Sequence, residues 1–182
     1  MPDPTLVTVV IPVFNTPKEF LKQALDSVAD QTINRNLIRI HIIDDASTAP
    51  GTVKFLSRLE RKNRYRGIGL KLSHNTENEW VAACRCAGAE QAGTDYVVFL
   101  DSDDALDCDY LKKAVLLLEA NPQASWAYPG TRTFGDSHHL WPAEPFSAFN
   151  VWFKFSYNTP NVYRTRQWLS VGQRKVPVTG DY

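Results

Sequence analysis

The stretch Tyr96–Asp104, YVVFLDSDD, runs five apolar residues straight into three carboxylates within four positions. The apolar part reads as a short strand covered on both faces. The acidic part is costly by itself, because neighbouring carboxylates repel and raise one another's pKa values. A cation among Asp101, Asp103 and Asp104 removes that cost. In open α/β sheets, ligands bind beyond the carboxyl ends of the strands, which is where this run falls.

Outward from that strand, strand-like and helix-like segments alternate. Leu6 to Val13 (LVTVVIPV) is β-branched and nearly all apolar, the pattern of a second buried strand. Thr16-Pro17-Lys18-Glu19 predicts a helix start, with Thr16 as cap, Pro17 at the first helical position and Glu19 closing a capping box. Phe20, Leu21, Ala24, Leu25 and Val28 follow at helical spacing. Leu37 to Ile43 is a strand, Thr52 to Lys62 a helix and Gly67 to Ser73 a strand. Trp80 to Gln91 is a helix that Gly93 stops. Asp109 to Ala120 is another helix, with Asp107 and Asp109 capping it or making an Asx-turn before it, and Ser125 to Tyr128 is a fifth strand. The alternation predicts a mostly parallel sheet with helices on both faces. After Gly130 the pattern weakens into an aromatic-dense segment: Phe134, Trp141, Phe146, Phe149, Trp152, Phe153, Phe155 and Tyr157. It reads as a loop-rich subdomain packing rings on the sheet; one or two of these rings could form a sugar platform instead.

Length and composition narrow the function classes. The 182 residues suffice for one domain with a proper core. Lys plus Arg equals Asp plus Glu at 20 each, which argues against a nucleic-acid binder working through bulk charge. No apolar run approaches the roughly 18 residues of a membrane span, and the N-terminus lacks the basic region of a signal peptide. Cys84, Cys86 and Cys108 form neither an even set nor a CxxC pair, so they read as reduced thiols in a cytosolic protein. The run Arg58, Arg61, Lys62, Arg64, Arg66 reads as a solvated helix face and turn, with a membrane-surface contact as the weaker alternative.

A second acidic cluster, Asp44-Asp45, follows the strand-like IRIHII. Two parallel strands would bring both clusters to one sheet edge. Carboxylates are hard oxygen ligands suited to Mg²⁺ or Mn²⁺, and such an ion commonly takes phosphate oxygens and water as its remaining ligands. For Asp44 alone, a turn or cap role is an equal alternative. Three acids in four positions are harder to explain by capping. A calcium loop starting at Asp101 fails, because Ala105 and Leu106 stand where an oxygen ligand and Gly are needed. No phosphate-cradling G-x-x-x-x-G-K-[ST] or G-x-G-x-x-G segment occurs, and no G-x-S-x-G nucleophile elbow.

The ordered set TVVIPVFN, QALDSVADQT, HIIDDAS, the Asn75 to Gly88 stretch and YVVFLDSDDALDCDYL resembles glycosyltransferase family 2, of GT-A fold, from Val7 to the last residue. The resemblance implies a Rossmann-like sheet and transfer of a sugar from a nucleotide-diphosphate sugar, UDP-sugar favoured, with inversion and with Mg²⁺ or Mn²⁺ held at a DxD-type motif. It implies that Pro12, Val13 and Phe14 wrap the nucleotide base, with Phe14 stacking on it. Asp45 would accept a hydrogen bond from base or ribose, with Asp44 beside it. Arg85 would face the diphosphate, although Cys86 stands where the family has Asn. Asp101-Ser102-Asp103 matches DxD, with Asp103 as the metal ligand and Asp104 near ribose or metal. Near the end, Asp181 resembles the catalytic base, preceded by Gly180 where the family has Glu.

The expected organisation is one GT-A-like domain over residues 1–182, with 1–130 the nucleotide-sugar half and 131–182 the start of the acceptor half. Because the sequence stops where a helix supporting Asp181 would begin, a fragment of a longer protein is expected. Partners implied are the donor and a saccharide, lipid-linked or other hydroxyl acceptor, with no nucleic acid. The location implied is cytoplasmic, or peripheral on the inner membrane face. Two other classes stay open. A non-catalytic nucleotide-sugar or carbohydrate-binding module would bind without transfer. A haloacid-dehalogenase-like phosphatase would use the first Asp of D-x-D as nucleophile.

Overall fold

The computed structural model describes residues 6–59, 65, 67–147 and 160–171. Three strands predicted from apolar runs form as expected: β1 (Val7–Val13), β2 (Ile38–Asp44) and β4 (Tyr96–Phe99). β3 (Gly69–His74) lies at the edge of the sheet, and its side chains alternate between exposed and half-buried. The helices are α1 (Lys18–Ala29), α2 (Pro50–Leu59), α3 (Trp80–Glu90), α4 (Tyr110–Ala120) and α5 (Thr165–Val171).

The main sheet has the order β3-β2-β1-β4-β8-β5, where β5 is Trp126–Ala127 and β8 is Val162–Arg164. The first four strands are parallel. β8 runs antiparallel between β4 and β5. A mostly parallel sheet is therefore correct, but the strand that follows β4 in the sheet comes from far along the chain. A separate hairpin pairs β6 (Thr131–Arg132) with β7 (Leu140–Trp141).

Period-two alternation splits the core. Val7, Val9, Ile11 and Val13 of β1 join Ile38, Ile40 and Ile42 of β2 against α1, α2 and α4. Val10, Ile43, Val97 and Phe99 face the other way, onto α3 and Trp168 of α5. Helices thus cover both faces. Gly88 lets α3 lie directly on β1: a Cβ there would sit 2.3 Å from Cγ1 of Val10.

Two predicted caps are corrected. Thr16 does not cap α1; Pro17 is the N-cap, and no side chain bonds the helix end there. The Thr16 hydroxyl instead bonds Ser102 Oγ at 2.7 Å, and its carbonyl accepts from Thr52 Oγ1. Asp109 is the N-cap of α4 but makes no side-chain cap; its carboxylate pairs with Lys113. The Leu111 N–H is satisfied by Gln31 Oε1 of the α1 end at 2.9 Å. In both cases a partner distant in sequence is better placed than the local one.

Beyond Gly130 the rings divide. Trp126 stacks on Tyr163, which also meets Phe99 and Trp168, whereas Phe134, Trp141 and Phe146 are exposed. Phe149, Trp152, Phe153, Phe155 and Tyr157 lie outside the described residues.

Candidate functional site

The parallel register brings the strand ends together. Val13 at the end of β1 is level with Asp44 at the end of β2, and the Val13 carbonyl accepts the Asp45 N–H at 2.8 Å. β4 ends one strand over, where the Leu100 N–H bonds the Val10 carbonyl. A cleft of about 430 Å³ opens at this edge, and Pro12, Val13, Phe14, Asp45, Asp101, Ser102 and Asp103 all line it. The two acidic clusters therefore converge, as the parallel arrangement requires.

The loops that carry these residues are cross-linked. Asn15 sits at φ 53°, a left-handed conformation that Asn tolerates better than most residues. Its Oδ1 accepts the N–H groups of Thr48 and Ala49, both at 2.7 Å, at the entry to α2, and its own N–H bonds Ser47 Oγ. The Thr16–Ser102 bond ties this same loop to the acidic run.

Asp45 is buried, and its carboxylate accepts from Asn75 Nδ2 at 2.7 Å and from the N–H groups of Glu79 and Trp80 at 2.9 Å each. Two of these bonds hold the start of α3 and the third holds Asn75, with the Cys84 thiol as a further hydrogen-bonding neighbour. Asp44 turns away from the cleft. Its Oδ1 accepts the Ser47 N–H and its Oδ2 meets His74 Nδ1 at 2.9 Å. That is the turn-forming alternative.

Arg85, on α3, lies behind the cleft instead of lining it: its guanidinium pairs with the carboxylate of Asp101. Arg85 Nε is buried with no partner among the described residues. Asp103 is exposed to the cleft, and Asp104 is half-buried. Burial, and then repulsion from Asp101 and Asp103, raise the Asp104 pKa, with Arg85 opposing. The cost foreseen in the acidic run is thus present in the folded chain. Asp104 faces a second cavity of about 710 Å³, shared with Tyr110, Gly130, Arg132 and Phe134. The run 101–104 is the wall between the two clefts.

This donor set fits a divalent cation: hard carboxylate oxygens, like-charge strain, and an open side where phosphate and water oxygens could complete the shell. The described residues that already gather three ligand atoms within 4.8 Å are Asp107, Cys108 and Asp109. Those are exposed or half-buried at the start of α4, where Lys113 holds Asp109. The 101–104 run does not form such a triple, so phosphate oxygens would have to contribute there.

The Asp181 assignment lies outside the described residues. Sequence reasoning missed Asn15, Thr16, Phe20 and Val81, which also line the first cleft. Only Asn15 carried a signal, an Asn two residues after a strand end; the others looked like ordinary helix-entry residues.

The pattern of glycosyl transferase family 2 matches residues 8–175. Among curated proteins, the glycosyltransferase GlyA of Streptococcus pneumoniae is 32% identical over 108 residues, covering 58% of this chain and 14% of that protein. Among solved structures, Staphylococcus aureus TarS 1–349 in complex with UDP superposes with a TM-score of 0.71 at 19% identity, covering 91% of this chain and 48% of that one. A mannosyltransferase from Pyrobaculum calidifontis in complex with GDP-Man and Mn²⁺ gives 0.70 at 22% identity, covering 94% and 49%. These likenesses show the GT-A fold. The chain spans about half the length of these solved structures and a smaller share of the curated relative.

Proposed function

Since the chain belongs to glycosyl transferase family 2, we propose that its strand-end cleft binds the nucleoside diphosphate of a sugar donor, with UDP favoured, and that the sugar passes to an acceptor hydroxyl with inversion. The observation that carries this reading is that Asp45 and Asp103, from separate strand ends, line one cleft with the half-exposed ring of Phe14.

Each residue's part follows from where it stands. Phe14 offers a ring face to the base. Pro12 and Val13 shape the floor below it. Asp45 is the acid placed to meet a base or ribose donor, while its bonds to Asn75, Glu79 and Trp80 fix the wall. Asp103 is the acid open to the cleft and the first choice to hold Mg²⁺ or Mn²⁺, with Asp101 beside it. Such an ion, when bound, neutralises charge on a departing diphosphate. Arg85 holds Asp101 in place, and its cationic field reaches the same region. That pairing also speaks against Asp101 as a free nucleophile of the phosphatase type. Ser102, tied to Thr16, keeps the acidic run in register with the nucleotide-facing loop.

Asp104 and the 710 Å³ cavity lie on the far side of the run, between the donor half, 1–130, and residues of 131–182 such as Arg132 and Phe134. An acceptor entering there would have to bring its hydroxyl past the rim of the run to the donor's anomeric carbon, because in-line displacement needs direct contact. Asp181 is the proposed base for the acceptor hydroxyl. No helix among the described residues is long and apolar enough to cross a membrane; cytoplasmic placement, with peripheral contact through the basic run, belongs to this reading.

The test is calorimetry of UDP with Mn²⁺ on the wild-type chain and on Asp103→Ala. Loss of one charged ligand should weaken metal-dependent binding by about 10-fold or more, with the melting temperature little changed because Asp103 is exposed. Unchanged affinity would remove the metal assignment.

A further inference from the structure

Among the described residues, the non-glycine positions with left-handed backbone are Asn15 (φ 53°), Ala46 (φ 61°) and Trp80 (φ 70°). All three stand around Asp45. Asn15 is in the loop after β1, Ala46 follows Asp45, and the Trp80 N–H donates to Asp45 Oδ2. Asn adopts this backbone readily, whereas a bulky aromatic residue does so only under strain. Glycine would meet the same φ at no steric cost.

The Trp80 ring gives the fold little in return. It is 59% exposed and has no ring partner among the described residues. Its position is distinctive instead. Val81, its neighbour in the chain, lines the 430 Å³ cleft. Phe14, 51% exposed, lines the same cleft as Asp45 and follows Val13, whose carbonyl accepts the Asp45 N–H. Asp45 is thus bonded to Val13, the residue before Phe14, through its own N–H and to the Trp80 N–H through its carboxylate.

We infer that Trp80 is a contact for the nucleoside of the donor, a second aryl surface besides Phe14 that sets nucleotide affinity. The inference rests on the donor reading above. An exposed indole on a residue whose N–H holds a cleft-lining carboxylate suits a flat heteroaromatic ligand, and stacking of this kind is tolerant of base identity but selective for nucleoside over bare pyrophosphate. Strain at Trp80 persists because Asp45 and Asn78 Oδ1 both hold its N–H.

The test compares wild type, Trp80→Gly and Trp80→Phe by calorimetry, with UDP and with inorganic pyrophosphate, both with Mn²⁺. Trp80→Gly should melt at the wild-type temperature or above, since the strain is relieved, yet bind UDP about tenfold more weakly. Its pyrophosphate affinity should be unchanged, and Trp80→Phe should recover most of the UDP affinity. Equal UDP affinity in wild type and Trp80→Gly overturns the inference, as does an equal loss for UDP and pyrophosphate, which would mark a structural disturbance. If Trp80→Gly fails to fold, Trp80→Asn, which also accepts the left-handed backbone, replaces it under the same criteria. Wild type that binds no nucleoside diphosphate would sink the donor reading itself, an outcome distinct from failure of the Trp80 contact.

Discussion

His41 stands in the middle of β2 with no exposed surface, its Nε2 2.9 Å from Ser73 Oγ and its Nδ1 without a partner among the described residues. Burial, and then the charges of Lys71 and Arg39, lower its pKa to about 4. The folded protein therefore keeps His41 neutral where the unfolded chain, titrating near 6.5, binds a proton. Linkage makes this stabilisation complete above pH 6.5 and removes it progressively down to pH 4, a loss of about 3 kcal/mol. Urea unfolding at pH 7 and pH 4.5 should show a smaller acid loss in His41→Gln than in wild type. Parallel pH dependence in the two proteins would exclude His41 as the cause. Cys84 shows a related effect of environment. Burial and the nearby Asp45 carboxylate push its thiol up to about 12, so it acts as packing material under α3. The three cysteines form no disulfide with one another. At this scale the residue types of the site could be read directly, because acids at strand ends are a local pattern. The role of each acid could not. Asp44 and Asp45 are neighbours with the same chemistry, yet one braces a turn and the other anchors a helix at the cleft.

At the scale of elements, α3 decides the shape of the site, since it presents Val81 to the cleft and Arg85 to Asp101. Its closeness to β1 depends on Gly88. An added Cβ would meet Val10 Cγ1 at 2.3 Å and Cγ2 at 2.8 Å, and Val10 is fully buried. Alanine is the better helix former by about 1 kcal/mol, but overpacking costs typically about 1–3 kcal/mol. Gly88→Ala should therefore destabilise the protein, and Val10→Ala in the same chain should recover part of the loss. A double-mutant cycle in urea measures that coupling, and purely additive effects would contradict the contact. Element existence was legible from periodicity, and boundaries shifted by a residue or two, as at β2 and α4. Caps were not legible. The local rule favoured Thr16 for α1 and Asp109 for α4, but Ser102 and Gln31 offered partners that no window along the chain contains.

For the whole molecule, the cleft draws on the ends of β1, β2 and β4 and on the start of α3. A ligand there would bridge elements that must separate on unfolding, so it would stabilise the folded state as a unit. At a hundred times its dissociation constant, the gain is about 2.7 kcal/mol. For a chain of this size that raises the melting temperature by about 5–10 °C. UDP with Mn²⁺ in a thermal-shift assay should give this rise, GDP with Mn²⁺ a smaller one, and Mn²⁺ alone little. No rise with any nucleoside diphosphate would leave the cleft without its proposed occupant.

The sequence by itself determined the alternation of strand and helix, the two-sided burial of the central strands, and the placing of both acidic clusters at strand ends. Those features rest on spacing along the chain: two residues per strand repeat, 3.6 per helical turn, acids directly after apolar runs. Tertiary structure alone decided that β8 enters antiparallel between β4 and β5, that Arg85 closes on Asp101, and that Asp103 and Asp104 face different cavities. The physical reason is that a buried polar group takes whichever partner folding brings within hydrogen-bond reach, and that proximity is set by packing across the sheet, not by order along the chain.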